Sequence, residues 1–139
     1  RLALAPFLSL DRDHRALTDA LRPQPGDAAK VFLPELSTAI EAALDRVWDK
    51  GITIRPAGGQ TEVSAMAGLP EDFAEKANHT RGFAQAYTPL AAYLQPGRIW
   101  ISWTFHAPGE EKGRRYDALV WIDDHWAFFP KPWRLLPRH

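Results

Sequence analysis

The strongest constraint in this chain is a two-residue alternation that begins at Arg98. Ile99, Ile101, Trp103 and Phe105 fall on one side; Arg98, Trp100, Ser102, Thr104 and His106 fall on the other. Period two is the repeat of a pleated strand, whereas a helix would scatter these residues around its circumference. The charged, glycine-flanked connection from Ala107 to Arg114 reads as an exposed hairpin loop. Arg115 to Ile122 alternates again, Asp123-Asp124 makes a two-residue turn, and His125 to Phe129 returns. Pro130 and Pro132 then stop the ladder, because proline has no N–H to give it. Five of the six tryptophans lie between Arg98 and Arg134, so this ribbon must supply most of a core.

A symmetric first hairpin sets His106 opposite Arg115, Thr104 opposite Asp117, Ser102 opposite Leu119 and Trp100 opposite Trp121. The second turn sets Trp121 opposite Trp126 and Leu119 opposite Phe128. Opposed residues share a face. One face is then wholly apolar: Ile99, Ile101, Trp103, Phe105, Tyr116, Ala118, Val120 and Ile122. The other mixes Trp100, Trp121, Trp126 and Phe128 with Ser102, Thr104, His106, Arg115 and Asp117. A slip of one residue in either hairpin would rearrange both lists.

The apolar face needs a cover, and the first half of the chain offers one. Leu36, Ile40, Ala43, Leu44, Val47 and Trp48 form a helical stripe, while Glu35, Glu41, Asp45 and Asp49 fill a solvated face. Pro34 suits the first position of this helix, Lys50 its negative end and Gly51 a left-handed cap. Ahead of it, Leu10, His14, Leu17 and Leu21 recur at helical spacing until Pro23, with His14 expected at the rim, and Asp27 is a fair N-cap. Behind it, Ile52 to Arg55 reads as a short strand. Gln60 to Ala67 reads as another, with Val63, Ala65 and Ala67 on one side. Gly68-Leu69-Pro70-Glu71-Asp72 opens a short helix running to about Asn78. From Arg81 to Leu94, Thr88-Pro89 interrupts any continuous helix, leaving either a broken helix or a loop that lays Phe83, Tyr87 and Tyr93 over the sheet.

These elements give one α+β domain over residues 1–139: an antiparallel meander in the C-terminal third packed on one long helix from the N-terminal half. Seventeen basic residues cancel seventeen acidic ones, so no general field draws phosphate backbones or anionic lipid. No apolar run approaches the ~20 residues of a membrane span. Cysteine is absent, which excludes disulfides, thiol catalysis and thiolate metal sites. His14, His79, His106, His125 and His139 show no HxH or HExxH spacing, and no cofactor motif is present: Gly58-Gly59 lacks the strand–loop–helix context of a phosphate loop. The start at Arg1, followed by Leu2-Ala3-Leu4-Ala5-Pro6-Phe7-Leu8, fits either an exported chain after signal removal or a cut within a longer one.

The mixed face carries the candidate site. It is either a half-solvated or dimer-forming sheet face, or an aromatic-walled pocket with a few convergent polar groups. The pocket reading selects Trp100, Ser102, Thr104, His106, Asp117 and Trp121, with Tyr87 from the preceding lid-like stretch. The expected function is non-enzymatic binding of a small apolar ligand or a protein partner. The alternatives are a lyase- or isomerase-like enzyme in which Asp117 orients His106 for proton transfer, and a purely structural accessory module. The assumed register makes those two residues diagonal neighbours, and no oxyanion hole accompanies them. Lys131-Pro132-Trp133-Arg134 reads as a tail packing its tryptophan on the sheet edge.

The meander Arg98–Phe105 and Tyr116–Phe129, above all Val120-Trp121-Ile122-Asp123-Asp124-His125-Trp126, resembles the terminal hairpin of cystatin-like α+β folds, and among them the nuclear-transport-factor-2-like domains. The resemblance covers about the last third of the chain. It implies a curved sheet wrapping a helix around a conical pocket, in a superfamily that holds both enzymes and non-enzymes. No catalytic residue of those enzymes is matched position by position.

Overall fold

A computed structural model describes residues 4–76, 83 and 85–137. The chain is α+β, as the alternation requires. Three helices, α1 (His14–Asp19), α2 (Asp27–Val31) and α3 (Ser37–Asp49), precede β1 (Glu62–Gly68). Two short helices, α4 (Pro70–Ala74) and α5 (Tyr87–Leu90), lead into β2 (Trp100–His106), β3 (Arg114–Ile122) and β4 (His125–Phe128). The strands form one antiparallel sheet in the order β1-β2-β3-β4.

The long helix starts as its sequence indicates. Pro34 opens a 3-10 turn through Leu36, and α3 then runs until Gly51 at φ 93°. Ile40, Leu44 and Trp48 are its buried stripe, and Trp48 meets Phe128 edge-on with ring centroids 6.2 Å apart. On its solvated side Asp45 and Asp49 accept from Arg22, and Glu41 accepts from the N–H of Gly26. Asp13 caps α1 through the N–H of Ala16. The cap of α2 is Gly26 at φ 92° rather than Asp27, which is buried and turned to other partners.

Several expectations are corrected. Leu10 is 93% exposed and belongs to no apolar face. His14 is buried instead of lying at the rim, and its Nε2 donates to the carbonyl of Phe7 at 2.7 Å. Ile52 to Arg55 is not a strand. Ile54 is fully buried there, and its N–H donates to the hydroxyl of Thr18, which donates in turn to the His14 carbonyl. Tyr93 is exposed, whereas Tyr87 packs on Trp100 of the sheet and Phe83 packs on Phe73 and Tyr87. The expected end of the α4 helix near Asn78, His79 and His139, and the start of the Arg81–Leu94 stretch lie outside the described residues.

The largest correction concerns the register of β2 on β3. Ile101 opposes Leu119 and Trp103 opposes Tyr116, so Ser102 alone faces two residues, Asp117 and Ala118. This is a β-bulge, and within it Ala118 takes a left-handed φ of 70°. Beyond it Thr104 opposes Arg115, not Asp117, Phe105 opposes Arg114, and Trp100 opposes Val120, not Trp121. The second hairpin keeps its expected pairs, Trp121 with Trp126 and Leu119 with Phe128.

The bulge resets the side-chain phase midway along β3. Tyr116 stays with Trp103 and Phe105, but Val120 and Ile122 move to the face of Trp100, and Leu119 and Phe128 join the face of Trp103. Both faces are therefore core. Trp103, Phe105, Tyr116 and Phe128 pack together under Trp48 of α3 and Phe7. Trp100 is surrounded on the reverse face by Phe32, Phe73, Tyr87 and Phe129. The open mixed face read from the sequence is instead a second buried layer, covered by the segments of α2, α4 and α5. Both faces open to water in part: Ile99 and Trp121, on the face of Trp103, are 45% and 38% exposed, and Met66 of β1, on the face of Trp100, is 40% exposed.

Candidate ligand pocket

The same bulge, with the early end of β4, creates the opening that best suits a ligand. The last rung between these strands is the N–H of Phe129 donating to the carbonyl of Ala118 at 2.9 Å. Pro130 then turns the chain away, Lys131 adopts φ 47°, and a 3-10 turn follows over Pro132–Arg134. Residues 115–117 of β3 consequently have no strand on that side. The gap is a pocket of about 290 Å³ walled by Ile52, Tyr116, Phe128, Pro130 and Trp133. Arg115 and Lys131 also line it, and Asp117 is its one carboxylate.

Asp117 is built in by Tyr87. The phenol donates to Oδ1 at 2.9 Å, and the Tyr87 ring is fixed by Phe73, Phe83, Trp100 and Trp133. Burial pushes the Asp117 carboxyl above its ordinary pKa, opposed by the Tyr87 hydrogen bond and the charge of Arg115. Burial, together with the neighbouring carboxylate, holds the Tyr87 phenol well above its usual pKa. Burial here thus favours the protonated carboxyl more than solvent would.

The other sequence candidates are dispersed. Trp100 is a core residue, 0% exposed, and cannot meet a ligand. Ser102 is buried at the bulge, 3.4 Å from the carbonyl of Tyr116. Thr104 is half-buried between Ser64 and Arg115 in the sheet. His106 is not paired with Asp117. Its Nδ1 donates to the Ala107 carbonyl at 3.1 Å, leaving Nε2 to accept from the Ser64 hydroxyl at 2.8 Å. Trp121 stacks edge-on against Trp126 at the far end of β3. The structure thus joins Tyr87 to Asp117 by a hydrogen bond and to the buried Trp100 by ring packing, and brings His106 to neither.

The pocket walls Ile52, Tyr116, Phe128, Pro130 and Trp133 are not among the site residues that the strand alternation points to. The signal that pointed towards them was the Pro130–Trp133 tail, whose indole does pack at the sheet edge, 5.8 Å from the Tyr87 ring. Among the described residues no group of three or more His, Asp or Glu side chains could hold a metal ion, and no helix is long and apolar enough to cross a membrane. Fold and site together define an α+β domain with an apolar pocket at a strand end. No protein-family model matches the chain, and neither a curated protein nor a solved structure is significantly similar to it.

Proposed function

We propose that this chain is a non-enzymatic binding domain that takes a small, mainly apolar ligand in the pocket beside β3. The observation that carries the reading is a half-sunk Asp117, oriented by Tyr87, in a cleft whose walls are mainly apolar, with Arg115 and Lys131 beside them. Ligand sites commonly have this composition: hydrophobic and aromatic walls with very few placed polar groups. At about 290 Å³ the cleft sits at the lower end of the ~300–1,000 Å³ usual for such sites, which favours a compact ligand. The layout, a helix laid on an antiparallel meander with a cavity at the sheet's end, also supports kinship with the nuclear-transport-factor-2-like domains. That kinship is part of the proposal.

The test is titration with an apolar fluorescent probe such as anilinonaphthalene sulfonate, together with native mass spectrometry for co-purifying ligands. Trp133→Ala should weaken probe binding about tenfold, the usual cost of truncating an aromatic anchor. Trp121→Ala, distant on β3, should leave it unchanged. Equal affinity in wild type and Trp133→Ala would refute the site.

A second reading, an acid–base enzyme, is favoured by one observation: the raised pKa of Asp117 beside a phenol donor. In that reading Asp117 is the proton-transfer group without help from His106. His106→Ala would then leave turnover intact while Asp117→Asn abolished it.

A further inference from the structure

The two edges of the sheet are finished differently. At β4 the edge is closed: Phe128 donates its N–H to the carbonyl of Leu21 at 2.8 Å, and Pro130 and Pro132 follow directly. At β1 the edge is open. Among the described residues nothing hydrogen-bonds to its outer side, and the backbone from Glu62 to Ala67 lies at the surface. Natural edge strands are commonly blunted by lysine, proline, a bulge or an inward charge. The run Glu62-Val63-Ser64-Ala65-Met66-Ala67-Gly68 has none of these, and its register on β2 is unbroken over all seven residues.

We propose that this edge receives a second copy of the same chain, β1 pairing antiparallel with β1 to give one continuous eight-stranded sheet. The inference goes beyond the ligand pocket and does not depend on it. Symmetry selects the register. A two-fold axis normal to the sheet keeps each side chain on its own face, so opposed residues must differ by an even number and the axis must pass through a residue. Full overlap of a seven-residue strand puts the axis at Ala65. Ala65 then meets its own copy, Ser64 meets Met66, Val63 meets Ala67, and Glu62 meets Gly68.

That pairing is free of conflict. The residue on the axis is a small methyl, and the single charge, Glu62, lies at the strand end opposite a glycine. No like charges are opposed, which would be destabilising. Val63, Ala65 and Ala67 share the face of Ile101, whose stripe would continue across the axis into the partner. A membrane or a nucleic acid would find no basic residue on this strand to engage, whereas an identical strand supplies the missing donors and acceptors one for one.

Sedimentation equilibrium of the whole chain from about 1 µM to about 1 mM, a span that covers weak and moderate association, tests the proposal. The expected result is a species of twice the 15.7 kDa chain mass at the upper concentrations. Ala65→Lys places two ammonium groups opposite each other at the axis, on an exposed side chain, and should return the protein to monomer, with its melting curve unchanged at the low concentrations where the wild type is also monomeric. Independently, Ala65→Cys should cross-link to itself on mild oxidation, since the chain has no other cysteine. Lys112→Cys, in the exposed β2–β3 loop, should not. A wild-type chain that stays monomeric across the range overturns the proposal. So does a dimer that survives Ala65→Lys, or one in which the two cysteine variants cross-link equally.

Discussion

Replacing Ala118 with glycine asks whether the bulge is built on a strained residue. At an ordinary buried strand position the change removes a methyl group worth ~0.8 kcal/mol. It also adds ~0.5–1 kcal/mol of backbone freedom to lose on folding. The expected penalty there is about 1.5 kcal/mol. Ala118 is fully buried, so it pays the methyl term, but it also holds φ at 70°. An L-residue in that left-handed region carries ~1–2 kcal/mol of strain that glycine does not. The terms cancel, and Ala118→Gly should lie within about 0.5 kcal/mol of wild type in urea denaturation followed by tryptophan fluorescence. Ala118→Val should lose at least ~2 kcal/mol, because a β-branched residue suits neither the dihedral nor the filled space. A glycine variant less stable by the full ~1.5 kcal/mol would show that the strand runs through this position unbulged, and the pocket's derivation would fail with it.

Further predictions concern titration and packing. The Asp117 carboxyl has a raised pKa in the folded state, so its stabilising contribution is complete below about 3.8 and is lost as pH rises through the folded value. Asp117→Asn should therefore gain stability relative to wild type at neutral pH and lose that segment of the pH profile, as thermal melts from pH 4 to 8 would show. His125 donates from both ring nitrogens, to Asp124 at 2.7 Å and to buried Asp27 at 2.8 Å. Only an imidazolium can make both bonds, and they raise its pKa above 6.5. This contribution is present below 6.5 and fades as pH rises through the folded pKa, so His125→Gln should flatten stability against pH in that upper window. Gly113→Ala should destabilise by roughly 2 kcal/mol or more, because a Cβ there would lie 1.9 Å from the Phe105 carbonyl oxygen. A melting temperature equal to wild type would refute that contact.

What could be read in the residues was whatever followed from periodicity and punctuation. The stripe Ile40–Leu44–Trp48, the proline opening and glycine closing of α3, the three C-terminal strands and the Trp121–Trp126 turn pairing are all local consequences of side-chain order. The bulge is not local. Alanine at position 118 gives no hint of a positive φ, where glycine or asparagine would have. One inserted residue moved Val120 and Leu119 to opposite faces from those expected and put Asp117 with Tyr87 instead of Thr104. Tyr87 and Asp117 were both among the selected residues, but their bond spans thirty positions and joins two elements whose relation no spacing rule reveals. The pocket walls escaped for the same reason: Ile52 and Trp133 meet only because β4 stops early.

The seal between Leu21 and Phe128 has a consequence for biosynthesis. A ribosome delivers α1, α2 and α3 ahead of the sheet, yet Trp48 meets the ring of Phe128 only when β4 emerges, and that strand, paired with β3 on one side, bonds back to Leu21 on the other. Until then the part of the α3 stripe that Phe128 covers stays exposed, a state prone to aggregation. Completion of the sheet is a late step that joins β4 back to the segment that follows α1.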